Sequence, residues 1–155
     1  MSLYSAITKL EPIVEVYDKD VIVKLIYNGH TYHGCAFCHK EDEDFFSEKV
    51  GATIAHYRAM ISIYEDEIKR AEMAAQVLWS AYKDVIYNSQ KEGTPVDPTG
   101  AFARRTARAE ALVKKYKTRQ DILRTALKKY IKDHEKCLAN IRAWRAAQKN
   151  EDKIV

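Results

Sequence analysis

From residue 50 to residue 85 the apolar side chains fall at Val50, Ile54, Tyr57, Ile61, Tyr64, Ile68, Ala71, Ala75, Leu78, Tyr82 and Val85, in steps that alternate four and three without a break. Such steps average about 3.5 residues, the repeat that keeps one stripe of a helix against a facing helix. They predict a single long helix with a coiled-coil seam. No proline interrupts the run. The helix is expected from about Asp44 to Ser89, with Asp42 or Asp44 as N-cap and the neighbouring acids matching the positive end of its dipole. At 1.5 Å per residue it would be roughly 65 Å long.

The stretch "KEGTPVDPTG" (91–100) holds two of the five glycines and two of the three prolines, so it breaks the helix. Asp97 or Thr99 is placed to cap a second helix running from about Ala101 to Gln148. Its stripe is weaker: Ala109, Leu112, Tyr116, Leu123, Ala126, Tyr130, Cys137, Ile141 and Trp144, with Arg105 and Arg119 also falling on it. Two helices of similar length joined by a short loop predict an antiparallel hairpin. Ile63, Ala74, Val77, Trp79 and Ala81 lie off the first stripe, and Val113, Leu127, Ile131 and Leu138 off the second. A lone hairpin buries one stripe per helix, so this surplus predicts a homodimer with a four-helix core.

Upstream the pattern changes to β. "IVEVY" (13–17), "VIVKLIY" (21–27) and "HTYHGCAF" (30–37) are separated by a turn at Asp18 to Asp20 and by Asn28-Gly29. Asn-Gly between β-rich runs marks a two-residue type I′ hairpin turn. That turn sets Tyr27 opposite His30, Leu25 opposite Tyr32, Val23 opposite Gly34 and Val21 opposite Ala36. The expected fold is therefore α+β: an antiparallel β-meander head over residues 1–40, a long antiparallel two-helix coiled-coil hairpin over 41–150, and a tail over 151–155. So small a sheet must pack one face on a helix or another subunit.

Charge is divided along the chain. Residues 100–155 hold 16 Lys+Arg against 6 Asp+Glu, while residues 1–99 hold 10 against 16. The basic third points to an anionic partner: Arg104, Arg105, Arg108, Lys114, Lys115, Lys117, Arg124, Lys128, Lys129 and Lys132, with Lys136 beyond, are the residues expected to contact phosphates or an acidic partner. The competing expectation is that the basic helix lies against acids of the same chain or of a second copy.

"HTYHGCAFCHKEDEDFF" (30–46) raises a cofactor question. Cys35 to His39 spells C-x-x-C-H, the haem-attachment pattern, but Cys35 sits in an expected strand and no export signal precedes it. His33, Cys35, Cys38 and His39 form the alternative, a zinc set, although zinc sites more often use two ligand pairs separated by a loop. The preferred reading has no cofactor: Cys35 packs as a small hydrophobe, and the acids of 41–48 open the helix. Those acids lack the spacing and central glycine of a calcium loop. Arg58 is read as a salt bridge to the same acids in preference to an anion site. Phosphate-loop, G-x-S-x-G and H-E-x-x-H motifs are absent, so binding is expected rather than catalysis. No apolar run approaches a membrane span. "MSLYSAITKLEP" lacks the pattern of a secretory signal, which predicts a cytoplasmic protein.

The stretch 21–61 resembles small phage and prophage proteins, chiefly of Gram-positive hosts. The shared features are the Asn28-Gly29 turn, Gly34, Ala36 and Cys38, the acid Asp42, Phe45 or Phe46, Gly51, and the helix with Ala55, Arg58 and Ala59. The resemblance covers about a quarter of the chain. It implies an accessory protein without a defined reaction, of the kind that counters bacterial immunity as an anti-CRISPR-like inhibitor or a sponge for nucleotide signals. The expected partner is a host protein or ribonucleoprotein complex. Alternatives are a nucleic acid held by the basic helix, and a structural coiled-coil or zinc-stabilised assembly module.

Overall fold

A computed structural model describes residues 1–40, 45–93 and 100–151. The order of elements is α1 (Leu3–Thr8), β1 (Ile13–Tyr17), β2 (Asp20–Tyr27), β3 (His30–Ala36), α2 (Glu48–Glu92) and α3 (Ala101–Glu151). The α+β architecture is as expected: a three-stranded antiparallel sheet in the order β1-β2-β3, followed by two long helices. The chain divides into two compact units, Met1–Ile61 with Ile122–Val155, and Ser62–Asp121. The division falls inside both long helices and not near residue 40, because the sheet is tied to the first turns of α2.

In the sheet-bearing unit, Asn28 (φ 49°) and Gly29 (φ 76°) form the turn, and the register is the expected one, from Tyr27↔His30 to Val21↔Ala36. Period-two alternation then collects Val21, Val23 and Leu25 on one face, all fully buried, with Tyr32 and Ala36 beside them. Burying each of these β2 side chains is worth roughly 1.5–3 kcal/mol. The β1–β2 turn is one residue shorter than expected. Tyr17 pairs with Asp20, leaving Asp18 and Lys19 as the loop, and Asp18 takes φ 56°. Aspartate tolerates that left-handed conformation, which is why β2 gains a residue.

The buried face is covered by small residues of α2. A Cβ added at Gly34 would lie 1.7 Å from the Ala55 carbonyl oxygen and 2.6 Å from the Ala59 nitrogen. One added at Gly51 would lie 2.6 Å from Val21 Cγ2. Gly51, Ala55 and Ala59 recur every fourth residue, forming a smooth ridge on which the sheet lies, and both alanines are fully buried. The seam pattern does not reveal this second face, because its residues are small.

Two helix starts differ from expectation. Ser47, not Asp42 or Asp44, caps α2: its Oγ accepts from Val50 N at 3.3 Å and its carbonyl from Gly51 N at 2.9 Å. Asp42 and Asp44 lie outside the described residues, as do Asp97 and Thr99. The N-terminal segment, given no element from sequence, forms α1, capped by the Ser2 side chain accepting from Ser5 N and anchored by fully buried Ile7. A six-residue helix is too short for a periodicity signal.

In the unit Ser62–Asp121, α2 and α3 run antiparallel. Tyr64 meets Tyr116 edge-on at 6.2 Å, and Tyr82 stacks on Phe102 at 6.1 Å. Glu72 pairs with Lys117 at 2.6 Å. Gly93, at φ 70°, ends α2 in the left-handed cap conformation. The α2 seam is covered as expected from Val50 to Tyr82, while Val85 is exposed.

The α3 stripe needs correction. Leu112, Cys137, Ile141 and Trp144 are exposed, and so is Arg105. The covered side instead carries Thr106, Val113, Gln120, Leu127, Ile131 and Leu138 beside Ala109, Tyr116, Leu123, Ala126 and Tyr130. Two of these are polar. Thr106 satisfies its hydroxyl on the Phe102 carbonyl at 3.0 Å, so it fits a buried seam at little cost. Ile63, Val113, Leu127, Ile131 and Leu138 are thus buried or half-buried by one chain. The surplus that argued for a four-helix dimer shrinks to exposed residues such as Val77 and Trp79.

Candidate functional site

Two features of the described residues combine charge with accessibility. The first is a cleft of about 190 Å³ in the sheet-bearing unit, where β3 hands over to α2 and α3 passes alongside. Phe37, Phe45 and Phe46 supply aromatic surface, Lys19 and Arg58 positive charge, and His39, His134, Cys38 and Glu135 the remaining polar groups. The volume is below the ~300–1,000 Å³ usual for small-molecule pockets.

Among the described residues Arg58 bridges two elements of the cleft. Its guanidinium donates to the Cys35 carbonyl at the end of β3, tying strand to helix. The acids at 41–44 lie outside the described residues. Arg58→Ala is expected to lower stability by about 1 kcal/mol, the usual value of such a bond, and Arg58→Lys to restore part of it; urea denaturation measures both. Phe45 serves as a platform for α3, with the Arg145 guanidinium 4.6 Å and that of Arg142 5.8 Å from its ring centre. No local signal announces that contact, because its partners are about a hundred positions apart.

His33 and His39 are exposed, Cys35 and Cys38 half-buried, and the Cys38 thiol donates to the His39 carbonyl at 3.6 Å. Among the described residues no group of three His, Cys, Asp or Glu side chains converges as a metal site. His134 faces the cleft, whereas Cys137 is exposed.

His56 in α2 has a buried Nε2 without a hydrogen-bond partner among the described residues, and burial lowers its pKa from 6.5. The folded chain therefore binds this proton less readily than the unfolded one. The stability from the neutral imidazole is complete above about pH 6.5 and is lost as pH falls toward the depressed folded value. Thermal melts should show Tm declining from about pH 7.5 to about pH 5.5, and His56→Gln should flatten the decline.

The second feature is the basic surface of α3. In the helical unit Arg104, Arg105, Arg108, Lys114 and Lys115 are exposed, and none has an ion-pair partner among the described residues. Lys117 is the exception, paired with Glu72. In the sheet-bearing unit Arg124, Lys128, Lys129, Lys132 and Lys136 are likewise exposed and unpaired among the described residues. Two acids of α2 pair within their own helix, Glu65 with Lys69 at 3.8 Å and Glu67 with Arg70 at 2.6 Å.

No protein-family model, curated protein or solved structure matches the chain. Among the described residues no helix is long and apolar enough to cross a membrane. Gly34, Gly51, Ala55 and Ala59 allow the closest approach of sheet and helix, and Arg58 fastens it.

Proposed function

We propose that this is a non-enzymatic, phage-type binding protein that acts in the host cytoplasm by sequestering or inhibiting a component rich in phosphate, either a nucleic acid or the nucleic acid of a ribonucleoprotein complex. One observation carries the reading: the cations of α3 are exposed, and all but Lys117 of the ten expected contact residues lack an ion partner among the described residues. Had they folded onto the acids of α2, a polyanion would have had to displace those acids first. Spread around the helix and mounted on a regular backbone, these groups suit phosphate contacts with little reading of base sequence. An anti-defence role, anti-CRISPR-like, is the biological form that the phage resemblance gives to this binding.

The test is anisotropy of labelled duplex DNA and of single-stranded RNA across salt. Affinity should fall between about 50 and 200 mM salt with a log–log slope set by the number of phosphates neutralised. Absence of binding at the lowest salt would remove the proposal. A protein component is the second reading, favoured by the exposure of Met73 (67%) and Val77 (70%) on α2; a lysate protein retained after nuclease treatment would support it.

A further inference from the structure

β1 inverts the usual order of exposure. It is an outer strand, hydrogen-bonded to β2 on one side and to no other described backbone on the other. Its four apolar residues face water: Ile13 is 47% exposed, Val14 40%, Val16 38% and Tyr17 58%. Its one charged residue, Glu15, is the best covered of the five, held by Lys24 Nζ at 2.7 Å and by the Tyr17 hydroxyl at 2.9 Å. Single exposed apolar residues are ordinary, but a contiguous run on both faces of an open edge is a template for pairing. Of the devices that blunt such an edge, lysine, proline and a bulge are missing between Ile13 and Tyr17, and the one charge, Glu15, is neutralised by Lys24 of its own chain.

We infer that β1 docks on β1 of a second copy, joining two three-stranded sheets across a twofold axis into one six-stranded antiparallel sheet. Backbone geometry selects the register. In a two-residue hairpin the residues flanking the turn, here Tyr17 and Asp20, form a hydrogen-bonded pair, and the pairs alternate from there. Val14 and Val16 therefore aim their N–H and C=O groups at the open edge. An antiparallel copy centred on Glu15 sets Val14 opposite Val16 of the second copy twice over, and all four residues use both backbone groups. The same register sets Ile13 opposite Tyr17, a favourable β-branched and aromatic pair. Glu15 then faces Glu15, a like-charge pair whose cost is offset by the Lys24 that each carboxylate already holds in its own chain. A second copy fits better than a foreign strand because "IVEVY" read backwards places apolar opposite apolar at four of its five positions. The surface is distinct from the helices and independent of the polyanion reading.

The full chain should sediment as a dimer, and Val16→Lys, which puts a charge on the open edge, should sediment as a monomer with unchanged circular dichroism. Val77→Glu, on exposed α2 surface, should remain dimeric. A second measurement does not depend on mass. Glu15→Cys faces its own copy in a non-hydrogen-bonded pair, where Cα atoms approach to about 4.5 Å. It should form a disulfide-linked dimer under mild oxidation faster than the wild type or Ile26→Cys, which sits on the same face one strand in. If Val16→Lys fails to fold, the cross-link decides. A monomeric wild type, a dimer that persists in folded Val16→Lys, or Glu15→Cys cross-linking no faster than Ile26→Cys would overturn the inference.

Discussion

Gly34→Ala is expected to lower the stability of the protein by about 3 kcal/mol or more, the upper part of the range for overpacking a core. The added methyl carbon would fall 1.7 Å from the Ala55 carbonyl oxygen and 2.6 Å from the Ala59 nitrogen. Both obstacles are helix backbone, which cannot rotate aside as a side chain can. The helix must retreat, and with it Ala55 and Ala59 leave the sheet they cover. In most strands the same substitution would help, because alanine loses less backbone entropy than glycine; a large loss is thus specific to close packing. Gly51→Ala is the graded comparison. Its methyl meets Val21 Cγ2 at 2.6 Å, a side chain with some freedom to yield, and should cost about 1 kcal/mol. Thermal and urea unfolding of the three chains measures the order. Equal midpoints for Gly34→Ala and the wild type would mean that sheet and helix do not touch at Gly34.

Replacing Lys128, Lys129 and Lys132 together by glutamate should weaken nucleic-acid binding by on the order of 100-fold near 0.1 M salt and reduce the salt slope by about 3, since each phosphate contact contributes about 0.9 to that slope for duplex DNA. The three lysines are exposed and lack ion-pair partners among the described residues, so their loss breaks no ion pair there. Helix propensity is nearly unchanged from lysine to glutamate, and circular dichroism should not move. Lys69→Glu serves as the control, because Lys69 lies on α2 beside Glu65 at 3.8 Å. Equal loss from Lys69→Glu would show that net charge acts rather than the α3 surface. An unchanged slope in the triple variant would take these lysines out of the interface.

Much of the fold could be read locally, and the reasons differ by element. Asn28-Gly29 specifies its turn through two backbone conformations, and a two-residue turn leaves one register, so every β2–β3 pair followed. The α2 seam was legible because ten successive steps agree on one period. α3 was not, because Thr106 and Gln120 are buried while Leu112, Ile141 and Trp144 are exposed. An apolar count there selects a stripe rotated from the one that other segments of the chain cover. Of the candidate site, the cations were legible as residue types, but their freedom was not, since an ion pair depends on where the opposing acid points. The part played by Arg58 was missed for a related reason: its acceptor is a backbone carbonyl, and every residue carries one.

The sequence by itself determined the three strands, the two long helices, the β2–β3 pairing and the sign of the charge on the last helix, because turns, helical periods and ionisation are properties of residues and their near neighbours. Only the tertiary structure decided which face of α3 is covered, that Gly34 and Gly51 are spacers for a helix crossing the sheet, and that nine of the ten expected contact cations, all but Lys117, have no ion-pair partner among the described residues. Those outcomes depend on contacts between segments far apart in the chain, where steric fit and direction prevail over composition.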